Sequence, residues 1–324
     1  MKWLLTRVLA GLAVLALLLV TAGALLAHQF SGRPASWASS QGADAAWVGS
    51  WEETDRLNAI LDTGGPNTVY VHAGEITEDG SVERVEDTAS LLSWLEEKHP
   101  DVRPLAWLRH VADGSSLVED RFDTEAREEL AAATSEIIQD GFAGVHLEIR
   151  PVTVNDPSVP TLVEGIREEL GKDTVLSIQA HHVELVPGGR VPSFLVGNGE
   201  KYWSKGYLER VTEHADEVVL PGVDTGMPGK SLYGGFMVRQ VTESLAALER
   251  RAELTVRFGL PTYTDQKWGP RHDSESVMTA LTAVRLGMTR AEPPEEFTLG
   301  VAFYLAEEAD RSDLAAYTAG WLLS

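Results

Sequence analysis

From residue 45 to the end of the chain, short β-rich runs alternate with amphipathic stretches. The runs fall at 45–51, 68–74, 103–108, 144–150, 175–181, 218–224, 254–261 and 298–305. Apolar residues at helical spacing follow each of them, at about 52–62, 87–98, 124–139, 159–170, 203–214, 235–252, 274–287 and 312–322. The stretch 125–139 shows the pattern. Leu130, Thr134, Ile137 and Ile138 share one face, Glu125, Glu128 and Glu129 load the positive end of the helix dipole, and Asp123 is placed to cap it. Eight strands, each followed by a helix, predict a (β/α)8 TIM barrel. Composition does not break along this region, so residues 43–324 read as one domain.

The N-terminus follows another pattern. Lys2 and Arg7 precede an uncharged apolar stretch, residues 8–27. As a helix it is about 30 Å long, enough to cross a bilayer. The flanking positive charges place the N-terminus in the cytoplasm and the chain after His28 outside. Residues 1–28 are therefore a signal anchor or a signal peptide, with Ala22-Gly23-Ala24 as the small-residue cleavage site in the second case. An apolar core longer than the usual 7–15 residues or so favours the uncleaved transmembrane helix. Residues 29–42, rich in Ser, Gly and Ala, read as a linker.

Charge and composition narrow the function. With 27 basic and 49 acidic residues the net charge is −22, and without Lys2 and Arg7 it is −24. Nucleic acid is excluded as a general partner, because no basic excess exists to displace its counterions. The same acidity leaves residues 8–27 as the expected membrane contact. The chain has no cysteine, which removes disulfides, thiolate metal sites and Cys nucleophiles. No metal-ligand spacing stands out among His146, Glu148, His181 and Asp224, and no cofactor is expected.

Alternation along the strands locates the candidate chemistry. On the fourth strand Val145, Leu147 and Ile149 should face the helices, which turns His146, Glu148 and Arg150 inward, Arg150 nearest the C-terminal mouth. The same reading turns Ser177, Gln179 and His181 inward on the fifth strand, Gly222 and Asp224 on the sixth, Arg257 and Tyr263 on the seventh, and Tyr304 on the eighth. Trp268 stands in a mouth loop, where an indole can stack on a sugar face. A polar upper barrel departs from the Val/Ile/Leu layers of an ordinary one, and such burial is costly unless the groups are paired or used.

The run from Asp140 to Pro151, with Gly144-Val145-His146-Leu147-Glu148-Ile149-Arg150 at its centre, resembles the fourth-strand signature of family 18 glycoside hydrolases, the chitinase-like barrels. Val218 to Thr225, Gly259-Leu260-Pro261-Thr262-Tyr263 and Gly300-Val301-Ala302-Phe303-Tyr304 resemble that family's sixth, seventh and eighth strands, in order. The resemblance implies a glycan or cell-envelope polysaccharide as ligand, with Glu148 and Asp224 in the catalytic positions. It also places Arg150 where the family's proton-donating glutamate stands, and Val223 where a tyrosine precedes the aspartate. A guanidinium cannot donate a proton near neutral pH, and beside Glu148 it should keep that carboxyl ionised.

Three readings follow. The first is a glycan-binding barrel without the standard family chemistry, in which His146, Arg150, Gln179, His181, Tyr263, Trp268 and Tyr304 contact the ligand. The second is an active glycosidase with a relocated acid, Glu148 or a loop glutamate such as Glu75 or Glu307. The third is a scaffold in which Glu148 and Arg150 are a buried ion pair and the cleft is vestigial.

Overall fold

The computed structural model describes residues 2–51, 54–111, 121–153, 156–185, 202–251, 253–262, 274–294 and 296–323. In chain order the strands are β1 (Asp44–Val48), β2 (Pro66–Ile76), β3 (Val82–Arg84), β4 (Arg103–Val111), β5 (Gly144–Arg150), β6 (Val175–Gln179), β7 (His182–Val183), β8 (Tyr202–Trp203), β9 (Glu217–Leu220), β10 (Thr255–Pro261) and β11 (Thr298–Tyr304). The helices are α1 (Lys2–His28), α2 (Thr54–Leu61), α3 (Thr88–Lys98), α4 (Thr124–Ile138), α5 (Ser158–Leu170), α6 (Lys205–Val211), α7 (Lys230–Ala247), α8 (Val277–Ala291) and α9 (Arg311–Tyr317).

Eight strands pair in parallel around a closed ring, β1-β2-β4-β5-β6-β9-β10-β11, and β11 returns to β1 with Ala45 opposite Ala302. The (β/α)8 barrel is thus present, strand for strand. β3 is an antiparallel addition to the end of β2, and β7 with β8 forms a separate two-stranded ribbon. Asp123 caps α4 as its sequence suggests, accepting the Ala126 N–H at 2.9 Å.

Two apolar layers follow from the alternation of side chains. Val145, Leu147 and Ile149 join the layer between barrel and helices, while Ala45, Trp47, Tyr70, Leu105, Trp107, Val219 and Ala302 pack inside the ring. The base is closed by Asp44. It accepts the Tyr317 hydroxyl at 2.7 Å, the Trp321 indole N–H at 2.9 Å, the Ser40 hydroxyl at 2.8 Å and the Val301 N–H at 2.8 Å.

Residues 29–42, which composition suggests as a free linker, are tied to the barrel. The Ala35 N–H donates to Thr289 Oγ1, Arg285 Nε to the Ala38 carbonyl, and Gln41 accepts the Leu299 N–H. Ahead of them, α1 is long and apolar enough to cross a membrane. Its last turns dock on α7, where Gly23 faces Leu232, the Leu26 carbonyl lies over Gly235 and the Phe30 ring over Gly234. A methyl group at Gly235 would overlap that carbonyl, so the two helix backbones touch only because the residue is glycine.

Candidate functional site

The barrel interior is polar from base to mouth, and each level has its own electrostatics. At the base Arg257, buried, pairs with Glu217 at 2.5 Å and donates to the Tyr70 hydroxyl at 3.0 Å. Arg103 reaches the same carboxylate at 3.1 Å. Burial opposes the charge on Arg257, but the Tyr70 and Glu217 oxygens outweigh it and hold its pKa up. This is a paired ionic floor.

Above it His146 stacks on Tyr70, ring centroids 4.0 Å apart, with the Trp47 ring edge-on at 5.4 Å. Its Nδ1 hydrogen-bonds the Ser177 hydroxyl at 2.8 Å. Burial first, and the Arg257 charge second, push its pKa well below the usual histidine range, so the ring is neutral. The structure places His146 deep in the packed middle of the barrel.

Glu148 occupies the next level, opposite Arg109 across the β4–β5 ladder. Its side chain is buried, one oxygen accepts the Trp107 indole N–H at 2.9 Å, and the other lies 2.8 Å from Arg150 Nε. Arg150 lowers the pKa of this carboxyl, as expected, but it does not set the direction of the net shift. Desolvation is the largest effect and raises the pKa, against the lowering by Arg150, Arg109 and the indole. At the rim Arg150 is 37% exposed, and Arg109 pairs with Glu75 at 2.9 Å while His72 sits 3.2 Å from the same oxygen.

Tyr304, at the mouth end of β11, packs edge-on to Trp47 at 5.7 Å. Burial raises its pKa, and it feels the charges of Glu148, Arg150, Asp224 and Arg109. Those groups therefore lie within electrostatic reach of its hydroxyl at the mouth. Asp224 reaches it by a route the alternation misses. β9 ends at Leu220, where Pro221 has no N–H to extend the ladder and the Gly222 backbone lies against Gly259. Asp224 stands beyond the strand in an exposed, left-handed conformation, φ 54°. His181 also departs from its expected direction. β6 stops at Gln179, and the His181 ring stacks on Trp203 at 4.9 Å and meets the Ile149 carbonyl at 3.3 Å. Gln179 is buried at the end of β6. Tyr263, Trp268 and most of the long connection after β6 lie outside the described residues.

Tyr70, His72, Trp107 and Arg109 complete the interior, and the same period-two alternation along β2 and β4 points to them. The loop acids proposed as replacements are both occupied. Glu75 holds Arg109, and Glu307 accepts the N–H groups of Gly49 and Ser50 at 3.0 Å each. Among the described residues no three His, Asp or Glu side chains gather in a metal-binding group.

A closed ring of eight parallel strands with helices between them is a chitinase-like (β/α)8 fold. Solved structures carry the likeness. The Bacillus cereus spore cortex-lytic enzyme SleL matches with TM-score 0.59 and 10% identity over 90% of this chain and 75% of its own. A chitinase from Bacteroides thetaiotaomicron matches with TM-score 0.60 and 13% identity, covering 86% of this chain and 94% of that one. A plant class V chitinase mutant from Cycas revoluta, in complex with (GlcNAc)3, matches with TM-score 0.57 and 12% identity over 86% and 99%. At these identities the likeness is one of fold. No family model matches the sequence, and neither does any curated protein.

Proposed function

We propose that this protein is a membrane-anchored, extracytoplasmic barrel that binds glycans at its mouth without the proton donation of family 18 hydrolases. The observation that carries the reading is the Arg150–Glu148 pair. At 2.8 Å the guanidinium covers the buried carboxylate that strand order places deepest in the mouth. A guanidinium holds a proton too tightly to donate it, yet its planar fork suits a carboxylate, phosphate or sulfate on a sugar. The fold neighbours support a saccharide built of N-acetylated units, since they are chitinases and one holds (GlcNAc)3. Asp224 and Tyr304, with Arg150, form the described part of the ligand wall.

The test is a binding screen of neutral and acidic oligosaccharides, the GlcNAc trimer included, against the intact chain and Arg150→Ala. Acidic sugars should lose at least about tenfold in affinity in the variant, the scale of one charge-assisted contact. Unchanged binding removes Arg150 from the role.

The upward shift at Glu148 favours a second reading, an active glycosidase in which Glu148 itself holds the proton. It requires turnover of the GlcNAc trimer that disappears in Glu148→Gln. Absence of turnover by the intact chain on chitin, peptidoglycan and plant glycans rejects it.

A further inference from the structure

The direction in which α1 leaves the barrel bears on the ligand. In a (β/α)8 barrel each outer helix runs antiparallel to the strands, so its N-terminus stands at the mouth and its C-terminus at the base. The start of α7 is accordingly at the mouth, where the Tyr233 hydroxyl donates to the carbonyl of Gly222, two residues past β9. α1 runs alongside α7 in the same sense. Gly23 faces Leu232 and Leu26 faces Gly235, three residues of advance on each helix. The chain then lies against the lower half of α8, where Gln29 and Ser31 meet Arg290, Gly32 meets Leu286, Ala35 meets Thr289 and Ala38 meets Arg285, before entering β1 at the base. The free part of α1, up to Ala22, therefore projects past the mouth rather than past the base. Residues 6–22 are exposed, and the helix up to Ala22 extends about 30 Å, the thickness of a bilayer core.

The rim around this projection is suited to a headgroup layer. Leu25, 62% exposed, lies in the last turns of α1, and Met278, 66% exposed, stands at the mouth end of α8. Lys230, also exposed, opens α7. An apolar fringe with a cation is what lies comfortably at a membrane interface.

From this we infer that the mouth faces the outer surface of the membrane that α1 spans, and that its ligand is the saccharide of a lipid-borne glycan. The inference rests on the reading of α1 as an anchor and of the mouth as a glycan site. A polymer lying away from the membrane would have to reach round the barrel to enter. A sugar headgroup fixed in the same leaflet is held at the opening and is confined with it, which raises its effective concentration.

The sequence has no cysteine, so single-cysteine variants of the full chain can be labelled directly. Lys230→Cys and Met278→Cys mark the rim, and Lys172→Cys, in the exposed turn after α5, marks the base. The chain is placed in vesicles of equal parts phosphatidylethanolamine and phosphatidylglycerol with an energy acceptor on the lipid headgroups. Rim labels should transfer strongly, and the base label, about 27 Å further away along the length of α7, weakly. A chain that floats with the vesicles and has its base label nearest the lipid overturns the orientation and leaves the anchor in place. A chain that does not float overturns the anchor. In the same vesicles, the GlcNAc trimer coupled to phosphatidylethanolamine is compared with the free trimer. The lipid-borne form should bind at least about tenfold more tightly. Equal binding overturns the lipid-borne ligand while upholding the glycan reading, and binding of neither probe rejects both.

Discussion

Arg150 Nε stands 2.8 Å from Glu148 Oε1, while the carboxylate's other oxygen takes the Trp107 indole N–H at 2.9 Å. The arginine is partly in solvent and the glutamate is not. Arg150 is thus the polar cover of a carboxyl that burial alone would drive towards its neutral form.

Removing that cover should cost stability in a pH-dependent way. Arg150→Ala leaves the buried Glu148 with the indole as its remaining direct partner, at a cost of about 1–3 kcal/mol where the carboxyl is ionised. The Glu148 pKa already lies above the ordinary carboxylate range, and losing the cation raises it further. As pH falls through that raised range the folded state takes up the proton and no longer needs the guanidinium. Urea unfolding should show the deficit at pH 7 and its disappearance towards pH 4.

Arg150→Glu makes the opposite change. It puts a second carboxyl where the family resemblance expects one, close enough to Glu148 for the two to share a proton. If the rest of the mouth is competent, the variant gains turnover of the GlcNAc trimer with an optimum on the acid side of neutrality. A rate no greater than that of the parent shows that the mouth lacks more than the acid.

The ionic floor should be more sensitive to half-removal than to full removal. Arg257→Met strands Glu217, whose remaining cation, Arg103, is partly exposed. Breaking a buried pair from one side costs about 3–5 kcal/mol, whereas replacing both members with apolar side chains costs much less. Arg257→Met with Glu217→Leu should therefore unfold at a higher urea concentration than Arg257→Met alone.

His146 should give acid sensitivity. An unfolded chain takes up a proton near the ordinary histidine pKa, about 6.5, that the folded barrel refuses. Its contribution is therefore complete above that pH and is lost below it, by up to about 1.4 kcal/mol per pH unit. His146→Phe keeps a ring against Tyr70 and has nothing to titrate. Its stability should fall less steeply between pH 6.5 and 5 than that of the parent.

The docking of α1 can be tested at one glycine. Gly235→Ala gives α7 a better helix former, by about 1 kcal/mol, but its methyl overlaps the Leu26 carbonyl. A spin label at Ala24→Cys should become more mobile in this variant while the barrel melts no lower. Unchanged mobility would show that the helices are not in contact.

The ring of strands was legible because each has a strict period of two or a short apolar run bounded by turn residues. β5 coincides with its predicted limits, 144–150. The alternation misled where a strand stopped early. Asp224 and His181 were assigned inward by extrapolating past Leu220 and Gln179. α7 begins at Lys230 rather than near 235, because Gly234-Gly235 reads as a break when it is a landing surface for α1. That contact joins residues some two hundred positions apart and leaves no local signature. The upward shift at Glu148 was missed for a related reason, since sequence places Arg150 beside it but does not measure how far the carboxyl is removed from water.

The closure of the ring has a bearing on how the chain is made. β1 pairs with β11, and Asp44 at its start is satisfied by Val301, Tyr317 and Trp321. During synthesis the first strand therefore waits with one open edge and an unpaired carboxylate until nearly the whole polypeptide has appeared. The final step of folding is long-range and late, the slow kind of contact to form. On the proposed anchoring by α1 the chain cannot drift away during that interval, but its open edge is offered to every neighbour in the same plane. Truncation just before Trp321 should accordingly be felt less as the loss of a tail than as a failure to seal.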